Sequence, residues 1–246
     1  MQEIIRVEQL SKSYQGRPAV NKLSFTLGQG KVLGLLGANG AGKSTSIECI
    51  LGTKAKDSGK VKILGMDPVK DRKKLFEKVG VQFQDSNYQR EIKVKELCEE
   101  TAAIYQAPAD WRALLNKFGI GEKEKSAVKD LSGGERQRLF IVLALIPNPE
   151  MVFLDELTTG LDAKARREVW SILKHLKQEG MTILLTSHFM DEVEVLCDEI
   201  IILKKGTVVY QGTVEQAIET SPYDQFEDAY LWYAEEREGM TNENIL

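Results

Sequence analysis

The feature that most constrains this chain is the run Gly37-Ala38-Asn39-Gly40-Ala41-Gly42-Lys43-Ser44. It lies between a short apolar stretch, Lys31 to Leu36, and a helix-compatible stretch from Lys43 to Leu51. The pattern G-x-x-x-x-G-K-[ST] has physical meaning in such a strand, loop and helix setting. Glycines let the backbone curl so that successive N–H groups face an anion, and the helix start adds the positive end of its dipole. Lys43 is then expected to reach β and γ phosphates. Ser44 offers a hydroxyl to Mg²⁺, a hard ion that prefers oxygen ligands. A chain built around this element is expected to be α/β.

Further short apolar runs occur at Val79 to Phe83, Met151 to Leu154, Thr182 to Leu185 and Ile200 to Leu203, which suggests one mostly parallel sheet. The first thirty residues and Lys60 to Leu64 alternate polar with apolar positions and read as antiparallel strands. Between Asp85 and Pro149 the period changes. Val94, Leu97, Cys98, Thr101 and Tyr105 share a helical face, as do Trp111, Leu114, Leu115 and Phe118, giving an inserted helical lobe. Glu122 to Lys125 reads as a solvated turn, and Phe226, Ala229, Tyr230 and Tyr233 as a terminal amphipathic helix.

With 246 residues the chain can bury a large interior. Thirty-three Lys and Arg against 37 Asp and Glu leave a formal charge of -4, so there is no global basic footprint and no nucleic-acid partner is expected. Cys49, Cys98 and Cys197 are odd in number and far apart, which argues against disulfides and zinc and for three buried small hydrophobes in a reducing setting. Neither a signal peptide nor an apolar run of about 18 residues is visible, so any membrane role is expected to depend on a partner.

Two further elements carry chemistry. Met151 to Glu156 is an apolar strand ending in two acids at the sheet edge where α/β proteins bind ligands. Asp155 can join a Mg²⁺ shell there, and Glu156 can polarise or deprotonate an attacking water. Leu131-Ser132-Gly133-Gly134-Glu135-Arg136-Gln137-Arg138 opens an amphipathic helix with Leu139, Phe140, Leu143 and Ile146, a second anion-compatible helix start.

With these motifs the sequence resembles the ABC ATPase family over nearly its entire length. Its signature motif is LSGGQ-like; Glu135 stands here in the last place. The resemblance implies a P-loop NTPase fold with a RecA-like core, an N-terminal antiparallel β subdomain and an inserted α-helical subdomain. The corresponding division is a single ABC ATPase domain over 1–246, with a core lobe at 1–84 and 150–212, a helical lobe at 85–149, and a C-terminal helix and tail at 213–246. It further implies that Gly37, Asn39, Gly40, Ala41, Gly42, Lys43, Ser44 and Thr45 bind ATP and that Tyr14 stacks on adenine. Gln84 resembles the Q-loop glutamine that links Mg²⁺ and water to the helical lobe, beside Ser44 and Asp155 as metal residues. Asp162 in Gly160-Leu161-Asp162 resembles the D-loop, and His188 the switch histidine that contacts the γ-phosphate. Glu156, His188 and Gln84 are the implied catalytic set, whereas His175 reads as a surface helix residue. The chain departs from the family pattern at Leu157, where proline usually follows the glutamate and would fix φ.

Members of this family pair head to tail, so that Ser132, Gly133 and Gly134 of one chain face the phosphate loop of the other. The resemblance therefore implies a second ATPase chain, as a homodimer or a heterodimer, and a separately encoded permease at the cytoplasmic face of the membrane. The segment from Gly80 to Leu97, the Asp130-Leu131-Ser132 approach and the short C-terminus look most like ATPases of drug-resistance and bacteriocin-type exporters. A soluble relative acting on ribosomes or DNA is the alternative, although a charged inter-domain linker and a long heptad coil are both missing. Residues Asp85 to Ile92 are expected to form the permease groove, with Tyr88 as its aromatic anchor.

Overall fold

Alternation of apolar and polar positions becomes two long antiparallel strands, β1 (Glu3–Tyr14) and β2 (Arg17–Gly28), in the computed structural model, which describes residues 2–83, 88–89 and 91–234. The central apolar run forms β3 (Val32–Leu36), helix α1 (Lys43–Ile50) follows the glycine loop, and β4 (Ser58–Ile63) returns antiparallel to β1. The small sheet thus has the order β2-β1-β4. After α2 (Arg72–Phe76) and β5 (Val79–Gln82) the chain enters the helical stretch, α3 (Val94–Ala102), α4 (Trp111–Lys117) and α5 (Gly133–Leu145). It then winds through β6 (Met151–Asp155), α6 (Ala163–Gln178), β7 (Thr182–Thr186), α7 (Met190–Leu196), β8 (Glu199–Lys204) and β9 (Thr207–Gly212). Helices α8 (Val214–Glu219) and α9 (Phe226–Ala234) complete the described chain.

The larger sheet has the order β5-β6-β7-β3-β8-β9, parallel except for the antiparallel edge strand β9. Every residue of β3, β6 and β7 is buried, as expected for parallel strands covered on both faces, whereas β9 alternates exposed and half-buried positions at the edge. Alternate side chains enter different cores. Val32, Val152, Leu154, Ile183 and Leu185 pack with α3 to α6, while Leu33, Leu35, Phe153, Leu184 and Ile201 pack with α1 and the small sheet. Phe153 is completely buried in the second core, where truncation to alanine costs about 3–5 kcal/mol.

Two expectations need correction. The last turns of α5 are buried nearly all round, because Leu139, Ile141, Val142 and Leu145 pack between the sheet and the neighbouring helices. The Glu122 to Lys125 turn lies at the surface as expected, with Glu122 and Lys125 exposed, and Lys123 pairs with Glu135 and Glu124 with Arg112, each at 3.1 Å. Cys49 and Cys98 are buried, but Cys197 is only partly so. The terminal helix behaves as the pattern requires, with Phe226 and Ala229 buried and Tyr230 and Tyr233 packed on the same cluster. Among the described residues no helix is long and apolar enough to cross a membrane.

Candidate functional site

The phosphate loop joins the carboxyl end of β3 to α1. Gly42, the α1 N-cap, has φ 107, and a Cβ there would lie 2.2 Å from the Ala19 carbonyl oxygen, so both conformation and space demand glycine. Lys43 is 5% exposed, and its Nζ donates to the Gly37 carbonyl at 2.8 Å and lies 3.6 Å from Glu156 Oε1. Burial pulls the Lys43 pKa below its ordinary value, while Glu156 and Asp155 oppose that shift.

Glu156 lies just beyond β6 and has the left-handed φ of 50, an uncommon and strained conformation for a side-chain-bearing residue. One hydroxyl holds both acids in place. Thr186 Oγ1, at the end of the adjacent strand β7, donates to Asp155 Oδ1 at 2.5 Å and accepts the Glu156 N–H at 2.9 Å. Burial raises the Asp155 pKa, and the hydroxyls of Thr186 and Ser44 pull it back. His188 Nε2 stands 2.5 Å from Glu156 Oε1. Leu157, at the position where the family has proline, is 3% exposed in the helical-face core, so packing and the turn bonds Thr159 N–H to Glu156 O and Leu161 N–H to Thr158 O hold the segment that follows the acids.

A cleft of about 650 Å³ gathers Tyr14, Asn39, Gly40, Gly42, Lys43, Ser44, Thr45, Glu156 and His188, together with Ala19 and Thr159. Tyr14 ends β1 at 43% exposure, with Lys12 Nζ and Lys54 Nζ 5.3 and 5.6 Å from its ring centroid. Gly37 and Ala41 are buried at the loop's base, and Asp155 lies behind Glu156. Ser44 and Asp155 form an all-oxygen donor pair next to the loop, which fits Mg²⁺. Gln84 lies outside the described residues. Three contributors were not singled out in the sequence: Ala19, whose backbone abuts Gly42; Thr159, in the turn after the acids; and Thr186, whose only sequence signal was its place before Ser187-His188.

Ser132, Gly133, Gly134 and Asp162 are not in that cleft. They line a separate one of about 350 Å³ with Arg138, Leu161 and Lys164. Two helix starts converge there: Ser132 caps α5 and Asp162 caps α6, whose side chain accepts the Ala165 N–H at 2.9 Å. Gly134 permits the approach, since a Cβ would sit 3.0 Å from the Ala165 Cβ. Glu135 closes a capping box, accepting the Ser132 N–H at 2.8 Å while its own N–H binds Ser132 Oγ at 3.3 Å. That bond and Lys123 hold the Glu135 carboxyl below its usual pKa. His175 is exposed near the C-terminus of α6, beside Glu179, as expected of a surface residue.

A phosphate loop at a parallel-sheet edge, facing an acid pair and a histidine, defines the class of nucleoside triphosphatases. The family model described as ABC transporter matches residues 20–159, more than half of the chain. Nod factor export ATP-binding protein I of Rhizobium meliloti (strain 1021) is 39% identical over 221 residues, covering 87% of this chain and 66% of that protein. The chain thus spans about two thirds of the length of that curated relative. A solved ATP-binding subunit of an ABC transporter superposes with a TM-score of 0.82 at 24% identity, covering 94% of this chain and 99% of its own. A dimeric ATP-binding cassette in a post-hydrolysis state bound to ADP and phosphate superposes at 0.75, with 23% identity, 85% of this chain and 98% of its own. The chain belongs to the ABC transporter family, as an ATPase with the fold of its ATP-binding subunits.

Proposed function

We propose that the chain powers an exporter, closing head to tail on a second cassette around ATP. The observation that carries this reading is the division of its site residues between two clefts. One cleft offers the phosphate loop, Glu156 and His188; the other offers two helix starts with Arg138 and Lys164, suited to an anion held by a partner. Tyr14 supplies a stacking face for adenine, and Lys43 with the loop N–H groups supplies charge and donors for the phosphates. Glu156, with His188 at its carboxylate, takes the proton of the attacking water. Ser44 and Asp155, with Gln84, are the residues to hold Mg²⁺, which neutralises charge on the β and γ oxygens when bound.

Export is supported by the 39% identical relative, a Nod factor export ATP-binding protein. A homodimer satisfies the chemistry, because one chain carries both half-sites. A separately encoded permease would hold the chain at the cytoplasmic face, docking near residues 85–92. Tyr88 rests on Phe140 of α5 with ring centroids 5.6 Å apart, so a contact at Tyr88 would bear directly on the signature helix.

Glu156→Gln tests the sandwich. The amide keeps shape but cannot take a proton, so ATP is expected to accumulate in a stable two-cassette species on gel filtration. A variant that stays monomeric with ATP and hydrolyses at the parent rate would refute the reading. Capture from detergent-solubilised membranes is expected to return a polytopic protein, and recovery of ribosomes or DNA in its place would favour a non-transport role.

A further inference from the structure

We propose that Glu192 is a positioning residue for hydrolysis, a buried carboxylate that braces the two loops carrying Glu156 and His188. It lies in the first turn of α7 and is 3% exposed. Three segments of chain converge on it. The Trp170 indole N–H, from α6, donates to Glu192 Oε1 at 2.9 Å. The hydroxyls of Thr158 and Ser187 face the same carboxyl and oppose the rise of its pKa, while Ser187 Oγ also accepts the Phe189 N–H at 3.0 Å and donates to the Phe189 carbonyl at 3.4 Å. Thr158 lies two residues beyond Glu156, and Ser187 directly precedes His188; both are almost completely buried.

The brace answers a specific need. Glu156 occupies a strained left-handed conformation, which persists only where the surroundings over-determine it. A buried carboxylate is costly, and burial pushes the Glu192 pKa up, so an acid at this position must be offset by donors that it organises. A second grip reinforces the first: the Arg166 guanidinium, one turn before Trp170 on α6, lies 4.2 Å from the ring centroid of Phe189, the residue after His188. Helix α6, which starts at the Asp162 cap, thereby contacts both Glu192 and the residue that follows His188. The proposal rests on the reading that these two residues carry out hydrolysis.

The test uses the full chain. Glu192→Leu fills similar volume but accepts no hydrogen bond; its ATP affinity and binding stoichiometry are expected to stay within about twofold of the parent. Its kcat is expected to fall about ten- to a hundredfold, because a small misplacement of reacting groups is expensive. Glu192→Gln, whose amide can still meet the indole and both hydroxyls, is expected to return kcat to within about threefold of the parent. A purely structural role would instead lower the fraction of chain that binds ATP while leaving kcat per bound site unchanged. Parental kcat in Glu192→Leu, or equal losses in the Leu and Gln variants, would overturn the brace. Should Glu192→Leu fail to fold, Trp170→Phe and Thr158→Val each remove one donor. Graded kcat losses at intact binding support the brace, and parental rates in both refute it. Glu156→Gln run alongside separates the two failures: parental turnover there removes Glu156 from the chemistry, whereas an inactive Glu156→Gln beside a fully active Glu192→Leu overturns the brace alone.

Discussion

The two clefts of this chain differ in what has been taken out of water. In the phosphate-loop cleft Lys43, Asp155 and Glu156 are each less than a tenth exposed, and the groups come from four distant parts of the sequence. In the signature cleft Ser132, Gly133 and Asp162 are exposed and belong to two helix starts, whose capping side chains already serve their own helices. Charges in a low-dielectric pocket interact strongly, so the first cleft is organised for chemistry by the chain itself. Exposed helix ends contribute less until a partner excludes water from them. The difference teaches that binding and hydrolysis should be separable by mutation.

Loss of the base should have the largest effect: Glu156→Gln is expected to lower kcat by about 10²–10⁴-fold with ATP affinity preserved, measured by phosphate release and equilibrium binding. Next comes the other cleft, where Ser132→Arg is expected to abolish ATP-dependent pairing and lower turnover by about 10²-fold while monomer binding is unchanged. Parental dimerisation and turnover in that variant would break the contrast between the clefts. Lys43→Ala should instead weaken binding itself, raising the ATP Kd about 10- to 150-fold through loss of one charge-assisted contact worth about 1.5–3 kcal/mol.

Tyr88→Asp is expected to leave ATP binding by the purified chain intact and to reduce its recovery with membranes about tenfold or less, in the range of an interface anchor. Equal recovery would move the docking surface toward α3. The smallest effect concerns pH. Since burial raises the Asp155 pKa, the folded chain binds more protons than the unfolded one between the two pKa values. The contribution to stability is therefore fully present below the unfolded pKa and is lost as pH rises through the folded one. Asp155→Asn, freed of that cost, is expected to melt higher than the parent at neutral pH without nucleotide, and the gap should close in acid. A constant gap across the titration would remove ionisation of Asp155 as its cause.

Several local features were legible because their cause is local. The G-x-x-x-x-G-K-[ST] loop needs glycine torsions that only sequence supplies, and Gly42 has one of them. The strand runs and the α9 stripe are periodic patterns that survive into the structure. Leu157 was visible as a departure, but its burial was not, since the core it enters is assembled from α3 to α6 and the sheet. The amphipathic reading of α5 failed for the same reason: a helix between two layers is buried on more than one face.

By itself, then, the sequence determined the loop, the signature helix start, the acid pair and the switch histidine, because each depends on backbone torsions or on residues adjacent in the chain. Only the tertiary structure decided how these meet. Parallel strand order brings the ends of β3, β6 and β7 side by side, and that places His188 on Glu156 across 32 residues of sequence. It also decided which buried polar groups meet, as with Thr186 on both acids and Glu192 on the Trp170 indole. Such roles come from donors and acceptors that converge in a buried space, and no spacing along the chain encodes that convergence.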